Sequence, residues 1–250
     1  MNMTGITFAE AQIWFAQTTR FTLFTVESGS LSTGLWSELT GKLPESSNSR
    51  PNEGILQEAG EFEGHKLVVT ISPGRIDIVL VLDFPRHLDF NALQALNYLS
   101  SVVNPWLKKA PKSLRIALGG IWHIPVDNEI EGLKKLSSYL PSVKIAASNT
   151  TDFAYQINRP QPSKADNTLR INALNKWSVV QIIRAPVQVL PNGQLHIQGS
   201  QGLTQFVCNI ETDVNTVPTE GLTIAADKLE ILFVELTTVT KMLLAQGDRT

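Results

Sequence analysis

The chain has 250 residues, room for one large domain or two ordinary ones, and is 42% hydrophobic and 18% charged, a globular make-up that excludes disordered and fibrous classes. Its 21 basic and 23 acidic residues leave a formal charge of −2, so no overall field draws in nucleic acid or an anionic membrane. Cys208 is the single cysteine, which excludes an internal disulfide and a thiolate metal cluster.

The opening "MNMTGITFAEAQ" lacks the basic start and continuous apolar stretch of a signal peptide. Apolar runs such as "IDIVLVLDF" fall far short of the ~20 residues of a membrane span, so a cytoplasmic bacterial-type protein is expected. In "TFAEAQIWFA" Ala9, Ala11, Ile13 and Phe15 share one parity, the pattern of a half-buried strand. "FTLFTVES" predicts a second extended piece, and "SLSTGLWSELTGKL" a short helix with Leu31, Leu35, Leu39 and Leu43 along one side. "PESSNSRPNEG" reads as a polar loop. "FEGHKLVVTIS" and "RIDIVLVLDF" then form an antiparallel hairpin, because Pro73-Gly74 suits the centre of a type II turn.

"LDFNALQALNYLSSVVNPWLKKA" predicts a helix capped by Asp89 or Asn91, with Pro105 kinking it or splitting off the last turn. "SLRIALGGIWHIP" follows as a strand and "NEIEGLKKLSSYL" as a helix. From residue 150 the extended runs "DFAYQINRP", "LRINALNKWSVVQIIRAPVQVL" and "QLHIQGSQGLTQFVCNIETDV" dominate, the last two joined through the hairpin signal Asn192-Gly193. "TIAADKLEILFVELTTVTKMLLA" closes the chain as an amphipathic helix presenting Ala225, Leu229, Leu232, Leu236, Val239 and Leu243.

Strands joined by hairpins, with helices between groups of strands, define an α+β class with helices packed on one face of a largely antiparallel sheet. The order strand, helix, hairpin, helix, strand predicts a ferredoxin-like split βαβ for residues 1–126. Residues 127–250 form an antiparallel β-rich half with a long C-terminal helix, either as a second domain or on one shared sheet.

This order of elements resembles a sporadically distributed family of bacterial proteins of about this length with no established function. "FAEAQIWFA" with "GLWSELTGKLP" looks like the family's opening strand and Leu-Trp-bearing helix. "RIALGGIWHIP" occupies the place of its Arg-x-Gly-Leu-Arg-Tyr-x-Asn strand, and "CNIETDV" that of its late Leu-Asp-Ile-Asp strand. Arg115 and Asp213 match, whereas Gly120, Ile121 and His123 replace the family's second arginine, tyrosine and asparagine. The resemblance implies architecture and leaves the chemistry open.

Among possible sites, "GSLSTGLW" has the glycine spacing of a phosphate loop but carries Leu35 and Trp36 where a lysine and hydroxyl belong, so Ser30, Ser32 or Thr33 is read as a helix cap and no cofactor is expected. Cys208 lies in the apolar strand "LTQFVCNI", roughly 40 Å along an extended chain from His196, which argues against a Cys-His pair. "KLVVTIS" and "LRIALGG" carry none of the aromatics with which such sheets stack RNA bases. "GGIWHIPVDNE" holds His123, Asp127 and Glu129, which can serve as metal ligands or as a base with its orienting carboxylate, alongside Arg115 or Asp213. Strand-end and capping roles also account for each of them: Gly119-Gly120 allows close backbone approach, Pro125 ends a strand, and Asp127 or Asn128 caps the helix that Glu129 begins.

The sequence therefore predicts a non-enzymatic binding or regulatory protein, a bacterial defence or toxin–antitoxin accessory being one such role, with a small metal-dependent hydrolase built on the His123 loop as the rival. Long, weakly charged strands at 150–190 predict a homodimer, with Trp177 near the contact.

Overall fold

Alternation along "TTRFTLFT" sends Thr19, Phe21 and Leu23 to one side of an extended backbone and Thr18, Arg20 and Thr22 to the other. In the computed structural model this stretch is one strand, β1 (Phe15–Thr25), where the sequence suggested two pieces. The structure describes residues 13–26, 34–82, 90–184, 187–189, 195–197 and 203–248; Ala9, Ala11, Leu31, Asp89 and the Asn192-Gly193 turn lie outside them. After β1 come α1 (Leu35–Thr40), β2 (Ser46–Arg50), a 3-10 turn at Pro51–Glu53, β3 (Ile55–Phe62), β4 (His65–Ser72), β5 (Arg75–Val81), α2 (Ala92–Leu107) and β6 (Ser113–Val126). The remainder is α3 (Glu129–Tyr139), β7 (Ala154–Asn158), β8 (Gln161–Pro162), β9 (Arg170–Arg184), β10 (Val187–Val189), β11 (Leu195–Ile197), β12 (Leu203–Thr216) and α4 (Ala226–Gln246).

Among the described residues the protein is a mixed α and β structure dominated by one ten-stranded sheet in the order β2-β3-β4-β5-β1-β6-β12-β9-β7, with β8 on β9. Its strand pairs are antiparallel. β6 pairs with β1 on one side and with β12 on the other, so the strands before and after residue 127 share one sheet. β10 and β11 pair antiparallel on either side of residues 190–194.

One parity set is the apolar core: Phe21, Ile78, Leu118, Trp122, Ile210 and Trp177 are each 0% exposed. Burying a side chain of this size removes enough apolar surface from water to contribute roughly 1.5–3 kcal/mol. Phe233 of α4 meets Phe21 edge to face at 4.9 Å, and Cys208 Sγ donates to Gly132 O of α3 at 3.4 Å. Trp36 of α1 donates from Nε1 to Leu67 O, its ring lying where a Cβ on Gly60 would be.

Four local expectations change. α1 is only six residues, because Gly34 and Gly41 bracket it at φ 104 and 70, and Leu43 is left 84% exposed instead of extending an apolar stripe. "SSNSR" is the exposed strand β2, since pairing with β3 requires only backbone groups. α2 runs through Pro105 to Leu107, and Asn91 is its cap, with Gln94 completing a capping box. Trp177 is fully buried, packed on Trp14 and stacked with Tyr139 at 5.7 Å, and so is withdrawn from any surface contact. The expected turn at Pro73-Gly74 is present, with Gly74 at φ 71 and Ser72 opposite Arg75.

The C-terminal end of α4 is tied down by Arg159, which holds Asp248 through two hydrogen bonds of 2.5 and 2.9 Å, while Asp248 N donates to Tyr139 O. Gly247 makes this closure possible: at φ 67, a Cβ would stand 2.2 Å from Tyr139 O. Gly41 shares the positive φ but lies in the left-handed helical region at ψ 9 with open space around it, whereas Gly247 has ψ −148. Urea denaturation should therefore show Gly41→Ala losing about 1 kcal/mol, the cost of the left-handed backbone. Gly247→Ala should lose clearly more, about 2–4 kcal/mol, through its glycine-only backbone conformation together with the overlap on Tyr139. Equal losses would contradict this reading of the closure.

Candidate functional site

The second parity set is polar-rich. Along β12 it comprises Asn209, Glu211, Asp213 and Asn215, and along β1 Thr18, Arg20 and Thr22. The strand register assembles these into rows crossing the sheet. One row reads Val79, Arg20, Gly119, Asp213, Leu174 on β5, β1, β6, β12 and β9. The next reads Thr18, Ile121, Glu211, Lys176, Gln156 on β1, β6, β12, β9 and β7. Together these residues line a concave basin of about 410 Å³.

The adjacent glycines explain its floor. A Cβ on Gly120 would lie 2.1 Å from the Trp122 ring, which packs across it on the core side and donates from Nε1 to Thr212 Oγ1 at 3.0 Å. A Cβ on Gly119 would point the other way, 3.5 Å from the Arg20 guanidinium. Gly120 thus admits a core tryptophan, and Gly119 leaves bare backbone in the basin.

The charges around that floor differ in how they are committed. Asp77 accepts two hydrogen bonds from Arg75, at 2.7 and 2.9 Å, and one from the Thr22 hydroxyl at 2.6 Å. Arg20 reaches the same carboxylate only at 3.8 Å and keeps a side chain 44% exposed. Lys176 Nζ donates to Glu211 at 3.0 Å, and Asp213 accepts from Asn215 at 2.9 Å.

The residues singled out in the sequence are dispersed. His123 projects from β6 on the same side as Arg20, is 3% exposed, and its Nε2 lies 3.1 Å from Asn209 Oδ1. Burial lowers its pKa to about 4, the Asn209 bond opposing part of that effect. Asn209 also donates to Ser178 at 3.1 Å, which spreads the network across β9. Asn128 caps α3 by accepting from Glu131 N, leaving Asp127 exposed and Glu129 in the first turn. α3 packs by Gly132 against Val179 and Cys208, which stand in one cross-strand row with Ile124, so it lies on the face opposite to His123. The structure therefore does not bring His123 together with Glu129. Arg115 shares the face of His123 but sits eight residues away, roughly 26 Å along the strand, with its guanidinium 5.1 Å from the Phe24 ring centre. Asp213 alone of the five is in the basin. Burial pushes the Cys208 thiol up to about 12, as expected of an inert core sulfur.

Among the described residues no three His, Cys, Asp or Glu side chains gather as metal ligands, and no helix is long and apolar enough to cross a membrane. A second trough of about 490 Å³ runs beside α4, past Ile231, Val234 and Met242. Two of its charges are committed internally: Arg159 to Asp248, and Glu235 to Ser163 Oγ and the backbone N–H groups of Lys164 and Ala165. No protein-family model and no curated protein matches this chain.

The basin residues Arg20, Lys176 and Glu211 are absent from the candidates read in the sequence, where they stand 35 to more than 150 positions apart. The alternations "TTRFT" and "NIETDVN" carried the signal, because polar residues at every second position mark a strand face turned from the core.

The His123 environment makes a pH prediction. The unfolded imidazole titrates near 6.5 and the folded one near 4. Between these values the unfolded state holds more protons, so stability rises with pH, is complete above about 6.5, and is lost as pH falls toward 4. The loss should total about 3 kcal/mol, measured by urea denaturation. His123→Gln should lose that much less between pH 7 and pH 4; identical pH dependence would refute the buried neutral imidazole.

Proposed function

We propose that this chain is a non-enzymatic binding protein that seats a small polar ligand in the basin over Gly119. The observation that carries this reading is the cation of Arg20 held over bare glycine backbone, beside a carboxylate already taken by Arg75 and Thr22. A half-exposed guanidinium that is only weakly engaged by protein is what a polar ligand can complete, while Val79, Ile121 and Leu174 supply apolar contact. The supporting architecture is a ferredoxin-like unit, in which β6-β1-β5-β4 are neighbours and α2 links β5 to β6, with helices on the core face and the ligand on the other.

The rival, a metal-dependent hydrolase at the His123 loop, has less support. Its imidazole is 3% exposed and engaged through Nε2 by Asn209, and Glu129 lies on the far side of the sheet. A regulatory role, including a defence or toxin–antitoxin accessory of the sporadically distributed bacterial family, fits a ligand-binding module and belongs to the same proposal.

Self-association is a separate part of it. β7 ends the strand order among the described residues, so its outer backbone can accept a second copy, without Trp177. Light scattering across micromolar concentrations should give twice the monomer mass; a constant monomer mass removes the dimer and leaves the basin untouched.

The basin is tested by a thermal-shift screen of polar metabolites against the wild type and Gly119→Val, which fills the floor. At least one compound should raise the melting temperature of the wild type by linkage and fail on the variant. Stabilisers that act equally on both proteins would place the site elsewhere.

A further inference from the structure

The row Val79, Arg20, Gly119, Asp213, Leu174 is ordered apolar, cation, gap, anion, apolar. We infer that the basin is a zwitterion site, recognising the carboxylate and ammonium of a free α-amino acid, and this inference rests on the basin being the binding site.

The argument is one of spacing and commitment. Arg20 and Asp213 are register partners of Gly119 on its two flanking strands, so all three project from the same side of the sheet. Neighbouring strands lie about 4.8 Å apart, which puts the Cα atoms of Arg20 and Asp213 roughly 10 Å from each other. Gly119 between them carries no side chain, and the Arg20 guanidinium lies over it. The two charges flank a gap instead of neutralising one another: Arg20 has its one ion pair among the described residues at 3.8 Å to Asp77, and the partner of Asp213 is the neutral Asn215 amide.

Chemistry then chooses the ligand. A guanidinium presents paired N–H donors that match both oxygens of a carboxylate, a geometry an ammonium cannot reproduce. Arg20 has made no such fork with protein, since Arg75 already occupies Asp77 in that manner. On the other side of the gap the Asp213 carboxylate can accept from an ammonium. An α-amino acid carries these two groups on adjacent atoms, so one small molecule can meet the Arg20 guanidinium, which lies over Gly119, and the Asp213 carboxylate together. Its own side chain would then rest on Leu174, Val79 or Ile121, which favours apolar amino acids. A simple anion would leave Asp213 facing it across the gap, and a simple cation would face Arg20; either meets like charge. The Lys176–Glu211 pair in the next row is closed on itself at 3.0 Å and forms a neutral wall.

The test is calorimetric titration with leucine, valine and phenylalanine, and with the matching des-amino carboxylic acids and amino-acid amides. At least one amino acid should bind, with each half-ligand weaker by about ten-fold or more, as loss of a charge-assisted bond implies. Arg20→Lys, which keeps the charge but loses the fork, should weaken the amino acid by a similar factor. Asp213→Asn should still bind the des-amino acid and should bind the amino acid no more tightly, a change in selectivity with binding retained that misfolding cannot produce. If none of the amino acids binds, or the des-amino acid binds as well as the amino acid, the zwitterion assignment is overturned. A metabolite that stabilises the wild type but not Gly119→Val would then still uphold the basin, so the two failures are separable.

Discussion

β6 is hydrogen-bonded along most of its fourteen residues to β1 on one side and to β12 on the other, and it joins the strands on the two sides of the large sheet. The pairing fixes register, and in a sheet register decides which side chains share a face. A slip of one residue between β6 and β12 would carry Asp213 to the core side and Trp122 away from Thr212. The Gly119-Gly120 pair sits at the middle of this arrangement and serves the two faces separately: one glycine accommodates an indole in the core, the other exposes backbone beneath an arginine. The same constraint therefore stabilises the sheet and builds the basin.

Much of the fold can be read from local pattern. The hairpin at Pro73-Gly74, the Asn91 and Asn128 caps and the apolar stripe of α4 are encoded within a few residues of one another, where turn chemistry and helical period act directly. β2 and the length of α1 are not legible in this way. β2 has no buried side chain and exists because β3 offers an unpaired edge. α1 receives its N-terminal hydrogen bonds from Glu58, a buried carboxylate on β3 that accepts from Gly34 N and Trp36 N at 3.0 Å each. Neither partner can be recognised from α1 alone.

The candidate site divides along the same line. "GGIWHIPVDNE" draws the eye because unusual residues crowd together, yet a turn of the strand at every residue sends His123 and Ile124 to opposite faces, and α3 follows the second. Proximity in sequence separated these side chains, whereas pairing across four strands brought together Arg20, Asp213, Glu211 and Lys176. Trp177 is a similar case. Its strand neighbours alternate polar and apolar, and the tryptophan falls on the apolar parity, with Nε1 satisfied by Asn175 Oδ1 at 2.7 Å deep in the core.

The central claim is that the molecule meets its ligand on the sheet face opposite the core, over Gly119. Amide chemical-shift mapping of the isotope-labelled protein, titrated with whichever small molecule stabilises it, addresses this directly. Shifts concentrated at residues 18–22, 117–121, 174–176 and 211–213 are the predicted result. Shifts concentrated instead along Ile231 to Gln246, beside the α4 trough, would contradict it.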